Sequence, residues 1–325
     1  MDCLRLSSYE LLRRYMPLLS SVRGSFGPQG RYTVGGKIFA TGGDIVGSYN
    51  GFRYHIFNNS GALTVTQASF TEPVEIILVG AGGNGNSGSS AGPGGGAGAL
   101  YWRTNFTISA VGNYPIVIGQ PGTTGGAVGA MDNINARGGN TTAFGIVAYG
   151  GGGAGASVAT NYGAFGNFSA TLLGDGGSGA SFYNGTNLVH PIDGITYGIG
   201  RSVVAGLPYY YGNNSGDGDS GAGGGGGGAG GAGQTGVSSS VAGHGGVGLS
   251  FNWTGTTQWL AGGGGGGNGG AALGGIGGSG VGGNGGGATN PGTNAVANTG
   301  SGGGGSGSGA PGFGSAGTVW IRYRE

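Results

Sequence analysis

The stretch Gly274-Gly275-Ile276-Gly277-Gly278-Ser279-Gly280-Val281-Gly282-Gly283-Asn284-Gly285-Gly286-Gly287 decides how the chain is read. Positions 274, 277, 280, 283 and 286 are all glycine. That spacing suits an extended left-handed helix with three residues per turn, the polyproline II geometry, and leaves one face of it without side chains. Bare faces can touch, and amides that such a helix cannot use internally can donate to carbonyls of its neighbours. The expectation is a bundle of polyglycine II helices with strands, loops and an anchor arranged around it.

The same residues also fit a flexible linker. The 325-residue chain has 93 glycines and 10 prolines, a content that without a collagen repeat is usual for low-complexity sequence. Ordering it is costly, at roughly 1–2 kcal/mol of backbone entropy per residue and most for glycine. Two features argue against disorder. Apolar islands interrupt the glycine: Leu100 to Trp102, Tyr114 to Ile118, Phe251 to Trp259 and Val319 to Tyr323. From Ser220 to Ile321 there is no Asp, Glu, Lys or Arg, whereas disordered segments are usually charged.

Composition bounds function as well. A net charge of +1 with 7% charged residues offers no phosphate-tracking surface and no polybasic membrane patch. Neither nucleic acid nor membrane insertion is expected, since no apolar run approaches the ~20 residues of a membrane helix. Cys3 is the single cysteine and forms no internal disulfide. Asp2, Arg5, Glu10, Arg13 and Arg14 break up the N-terminal segment, so no secretory signal is expected there.

Residues 1–24 carry the one helix signal. Ser7-Ser8-Tyr9-Glu10 is a capping box, and Pro17 ends or kinks the helix. Leu4, Leu11, Leu12, Tyr15, Leu18 and Leu19 are more apolar residues than a short helix hides alone. Packing on the main body and docking on a partner protein both account for them. Residues 1–51 are read as an attachment segment, the helix followed by a turn-rich connection with one or two short strands such as Lys37 to Ala40.

From Phe52 the pattern is β. Phe52 to Phe57 and Ala62 to Thr66 alternate around Asn58-Asn59-Ser60-Gly61, which reads as a hairpin. Val74 to Val79 is a continuous apolar strand, Leu100 to Ile108 and Tyr114 to Ile118 are further strands, and Thr318 to Arg322 must pair with the early ones. The fold class is therefore mainly β, a sandwich-like sheet closed by both ends of a domain spanning 52–325, with a polyglycine II lattice inserted between them.

Few motifs carry chemistry. Val79-Gly80-Ala81-Gly82-Gly83-Asn84-Gly85 follows a strand with G-x-G-x-x-G, yet the next residues, Asn86 to Gly94, cannot form the helix a dinucleotide site needs. Asp217-Gly218-Asp219-Ser220-Gly221 has the start of a calcium loop, but Gly228 stands where its bidentate acid belongs. The only lysine, Lys37, is in no P-loop, and His55, His190 and His244 lack partners at metal-ligand spacing apart from Asp193 near His190. The chain is read as a non-enzyme without cofactor or metal.

Aromatic loops remain. Tyr162 and Phe165 share one, Tyr209, Tyr210 and Tyr211 follow Pro208, and Trp253 and Trp259 share another. Tyr and Trp give large contact area at low entropic cost, so these are the candidate receptor contacts. As plugs, they fill lattice edges; most are read so, with one or two loops as contacts.

The order Tyr54-His55-Ile56-Phe57, Val74-Glu75-Ile76-Ile77-Leu78-Val79-Gly80-Ala81-Gly82-Gly83, Pro93-Gly94-Gly95-Gly96-Ala97-Gly98, Tyr114-Pro115-Ile116-Val117-Ile118-Gly119 and Gly317-Thr318-Val319-Trp320-Ile321-Arg322-Tyr323 resembles the glycine-rich domain of bacteriophage tail and virion proteins. The glycine tracts are also similar in style to the polyglycine II tip adhesins of phage long tail fibres and to the glycine-rich region of anaplastic lymphoma kinase receptors. The resemblance covers Phe52 to Tyr323. It implies a virion structural protein, a tail fibre or tip adhesin within an oligomeric assembly, extracellular after release. Such a protein meets a host receptor, protein or glycan; residues 1–51 depart from the family, so their expected docking on other virion proteins rests on their own apolar residues and is not part of the resemblance. A purely architectural role, capsid decoration or filament subunit, is the alternative.

Overall fold

Val74–Val79 offers solvent almost no polar face, so it belongs at the centre of a sheet covered on both sides. The computed structural model, which describes residues 36–69, 71–88, 91–125, 136–154, 209–219, 221–237, 240–270 and 273–325, places it there. The helix expected over residues 1–24, its six apolar candidates, Tyr162 and Phe165 all lie outside the described residues.

The described strands are β1 (Phe39–Thr41), β2 (Ile45–Tyr49), β3 (Phe52–Phe57), β4 (Gly61–Gln67), β5 (Val74–Val79), β6 (Leu100–Phe106), β7 (Gly112–Val117), β8 (Thr141–Ala143), β9 (Ile146–Ala148), β10 (Tyr210–Tyr211), β11 (Leu249–Phe251), β12 (Gln258–Leu260) and β13 (Thr318–Arg324). They form a six-stranded sheet, β10-β6-β5-β13-β3-β2, a five-stranded sheet, β1-β4-β7-β8-β9, and the hairpin β11-β12. Every pair of these strands is antiparallel. The protein is thus mainly β, and the final strand is central: Ile321 pairs with Ile76 on one side and His55 on the other.

Alternation along β5 feeds two cores. Ile76 and Leu78 share one with Leu63, Val65 and Ile116 of the five-stranded sheet. Ile77 and Val79 enter a second with Trp320, Phe251, Trp253 and Leu260. The continuous apolar run follows from burial on both faces.

One expectation is corrected. Phe52–Phe57 and the segment after it are no hairpin: β3 lies in the six-stranded sheet and β4 in the five-stranded one. Both edges of β3 are taken, by β13 and β2, so no ladder is left for β4. Asn58–Ser60 instead turns the corner between sheets, where the Asp44 carboxylate accepts the amides of Asn58 at 2.7 Å and Asn59 at 2.9 Å. β1 and β2, both before Phe52, edge the two sheets, and Ile38 and Ala40 are buried.

The glycine segments between the strands bond to one another through the backbone. Gly80, Gly83 and Asn86 donate to Ala99, Gly96 and Pro93; Ala81 and Asn84 to Gly139 and Ala136; Gly82 and Gly85 to Ser315 and Gly312. Every third amide meets the same neighbour. Segment 94–99 repeats the pattern, with Gly94 and Ala97 donating to Gly224 and Gly227, Gly95 and Gly98 to Gly303 and Gly300, and Gly96 and Ala99 to Gly152 and Tyr149. Segment 263–268 does so again, toward Gly246 and Gly243, Gly95 and Gly92, and Gly283 and Gly286. Backbones approach so closely that a Cβ on Gly264 would stand 2.0 Å from the Gly303 carbonyl oxygen.

The stretch 274–287 is not one continuous rod. A single 3-10 turn at Gly278–Gly280, with Ser279 at φ 52° and Gly280 at φ 69°, folds it back on itself. Gly285 then donates to Gly275, and the Ser279 hydroxyl accepts the Gly248 amide at 2.9 Å. The regular glycine spacing crosses that turn without registering it.

Candidate functional site

The site is built where β6 ends. Phe106 pairs with Val74 and Arg103 with Ile76, so three steps along β6 match two along β5. This bulge turns Arg103 and Phe106 to the same face, the one that Val74 and Ile76 bury. Beyond it, Thr107, Ser109, Tyr114, Thr142 and Phe144 join Phe106 around a cleft of about 450 Å³. That volume lies in the roughly 300–1,000 Å³ range of small-ligand pockets.

Three rings wall the cleft. Phe144 sits 5.1 Å from Phe106 and 5.4 Å from Tyr114, centroid to centroid. The Tyr114 hydroxyl donates to the Ala110 carbonyl at 2.7 Å and ties down the loop leading into β7. Phe144 and Gly145 form the two-residue turn between β8 and β9, both at positive φ, 55° and 75°. Asn-Gly is the usual pair in such a turn, and a left-handed residue with a side chain costs about 1–2 kcal/mol. The Phe144 ring is held in place against that strain.

Arg103 is not part of the cleft lining and lies beside it, over the Phe106 ring. Its guanidinium carbon lies 5.4 Å from the Tyr209 ring centroid and 5.6 Å from that of Phe106, and its Nε donates to Asn105 Oδ1 at 3.2 Å. No carboxylate among the described residues pairs with it.

The described aromatic candidates divide. Tyr209 is 37% exposed and Trp259 40% exposed, so both can meet a partner. Tyr210 and Tyr211 form β10 on Tyr101 and Leu100. The Tyr210 hydroxyl donates to Val147 of the cleft at 3.1 Å, and burial, then the Tyr101 and Tyr149 hydroxyls, raise its pKa above the ordinary phenol value. Trp253 is 4% exposed, packed on Trp320 at 5.9 Å and under the Arg322 guanidinium at 4.4 Å, so in this fold it is a core plug. Sequence reasoning misses Arg103, Phe106, Tyr114 and Phe144. The Phe144-Gly145 pair between two short β-branched runs is the available signal, a two-residue hairpin turn.

The other motifs resolve into structure. The Gly80–Gly85 amides all donate to neighbouring carbonyls, which leaves none facing a phosphate. Asp219 and Ala222 exchange backbone hydrogen bonds at 2.9 Å. His244 accepts the Ile276 amide at 2.8 Å, and buried His55 sits between the Gly42 carbonyl and the Tyr323 hydroxyl. No three His, Cys, Asp or Glu side chains gather among the described residues.

A family model for a glycine-rich domain matches residues 58–324. No curated protein matches the chain.

Proposed function

The chain belongs to this glycine-rich domain family, and from that premise we propose that it is a structural protein of a bacteriophage particle, a tail-fibre or tip adhesin. In this reading the glycine segments are polyglycine II rods, residues 1–51 join other virion proteins, and the body meets a host receptor, protein or glycan. The observation that carries it is the three-residue step of the backbone donors around three neighbouring segments. Each such bond contributes about 1 kcal/mol net without any side chain. A body held this way tolerates change in the loops joining its rods, which is where a receptor-binding protein needs variation. Tyr209 and Trp259 are exposed in support of contact.

The architectural reading has its own support. Leu273 is 80% exposed and Ile276 62% exposed on one glycine segment, an apolar surface that a neighbouring subunit would cover. Immunogold labelling of particles released by cells encoding the chain, with antibody against residues 36–325, tests both. Label on tail tips, with purified protein adhering to host cells, is expected. Label over capsid or filaments without adhesion favours architecture, and no label on any particle overturns the virion assignment.

A further inference from the structure

Within that receptor-binding reading, on which this inference rests, the cleft at the end of β6 has the chemistry of a specific ligand. Sugar rings combine an apolar C–H face with a rim of hydroxyls, and the cleft offers the complement: Phe106, Tyr114 and Phe144 as flat walls, with Thr107, Ser109 and Thr142 among the lining residues. No charged side chain lines it, but the Arg103 guanidinium lies next to it, over the Phe106 ring at 5.6 Å and the Tyr209 ring at 5.4 Å and without a carboxylate partner among the described residues. A planar guanidinium held by two rings is preorganised to take a carboxylate through two parallel hydrogen bonds.

We propose that this cleft binds an acidic sugar residue of a surface glycan, with the carboxylate on Arg103 and the ring against Phe106 and Phe144. The strained Phe144 backbone fits this role, since local strain collects where geometry serves binding. Glu75, the acid nearest in sequence to Val74, is engaged by Arg322 at 3.0 Å and so does not compete for Arg103. Binding therefore weakens with added salt and fades once acid protonates the sugar carboxylate.

The test uses the full chain and a panel of oligosaccharides ending in galacturonic, glucuronic or sialic acid, each beside a neutral counterpart, read by calorimetry and saturation-transfer NMR. At least one acidic probe is expected to bind about tenfold or more tighter than its counterpart, the margin of a charged hydrogen-bond pair. Arg103→Gln should abolish that margin with the fold retained, and Phe144→Leu, which keeps apolar volume but not the ring, should weaken binding with the fold retained. No acid-selective binding, or acid-selective binding that Arg103→Gln leaves intact, overturns the proposal. If no acidic probe binds while antibody still marks tail tips, the sugar assignment fails and the virion reading stands. Acidic-sugar binding without particle label upholds the sugar assignment and removes the virion reading.

Discussion

Three single alanines separate the ways in which glycine matters in this fold. In Gly264→Ala the new Cβ would stand 2.0 Å from the Gly303 carbonyl oxygen, where ordinary contact begins at 3.4 Å, so segments 261–268 and 300–306 must part by over an ångström. Those segments are joined by the Gly302 amide on the Gly262 carbonyl and the Gly305 amide on the Gly265 carbonyl, both 2.9 Å. Parting them stretches both bonds past 3.5 Å, and each buried group left unsatisfied costs about 1–3 kcal/mol, for a total of about 2–6 kcal/mol. Gly280→Ala meets nothing within 4 Å but holds a side chain at φ 69°, which costs about 1–2 kcal/mol. Gly61→Ala in β4 meets nothing nearer than the Phe57 ring at 3.9 Å, and stays within about 0.5 kcal/mol of the parent. Guanidinium denaturation should rank the losses Gly264, Gly280, Gly61, and hydrogen exchange should quicken at the Gly302 and Gly305 amides in Gly264→Ala alone. If Gly264→Ala is no worse than Gly280→Ala, backbone contact between segments is not what holds the body together.

Other consequences concern the sheets. His55 is buried and its pKa is lowered from 6.5, chiefly by desolvation and also by Arg53, against the raising effect of the Gly42 carbonyl. Its contribution is full above the unfolded value and lost as pH falls from about 6.5 through the folded pKa, since the unfolded state then binds the proton more readily. Melting curves from pH 8 to pH 5 should show that decline, and His55→Gln should flatten it. Asp44 titrates below 3.8, because the hydrogen bonds from Asn58 and Asn59 outweigh the opposing desolvation. Asp44→Ala should lower stability by about 1 kcal/mol at neutral pH, with the difference closing as pH falls below 3.8. Glu75 accepts both its bonds from Arg322 Nη2 at 3.0 Å, beneath the stack on Phe52 and Trp253. Glu75→Gln should lose about 1–2 kcal/mol and alter tryptophan fluorescence, and an unchanged Tm and spectrum would show the pair to be idle.

Strands with a strong local signature were legible. The apolar run Val74–Val79 coincides with β5, and the expectation that the final strand joins the early ones is met by β13 between β3 and β5. The corner at Asn58–Ser60 was not legible, because a three-residue link with turn chemistry serves a hairpin or a change of sheet equally well. What separates them is β13, a strand far along the chain that occupies the edge of β3 a hairpin would have used. Short strands such as β8, β9 and β10 carry too few residues for a period to show. Of the candidate contacts, Tyr209 and Trp259 reach the surface, while Trp253 looked the same in sequence and lies in a core.

The cleft was hidden for a related reason. Arg103 and Phe106 are three apart, a spacing that puts them on opposite faces of a regular strand. Only pairing with β5 shows the extra residue that brings them to one face. By itself, the sequence determined that the chain is rich in strands, that its glycine tracts could pack backbone to backbone, and that acid–base and metal chemistry had few residues to work with. Periodicity and composition are local properties, and these follow from them. Which strand takes which edge, where the glycine chain reverses at Ser279 and Gly280, and which aromatic is wall, plug or contact were decided by the tertiary structure. Each of those depends on hydrogen-bonding edges and free volume supplied by residues far away in the chain, which no local pattern encodes.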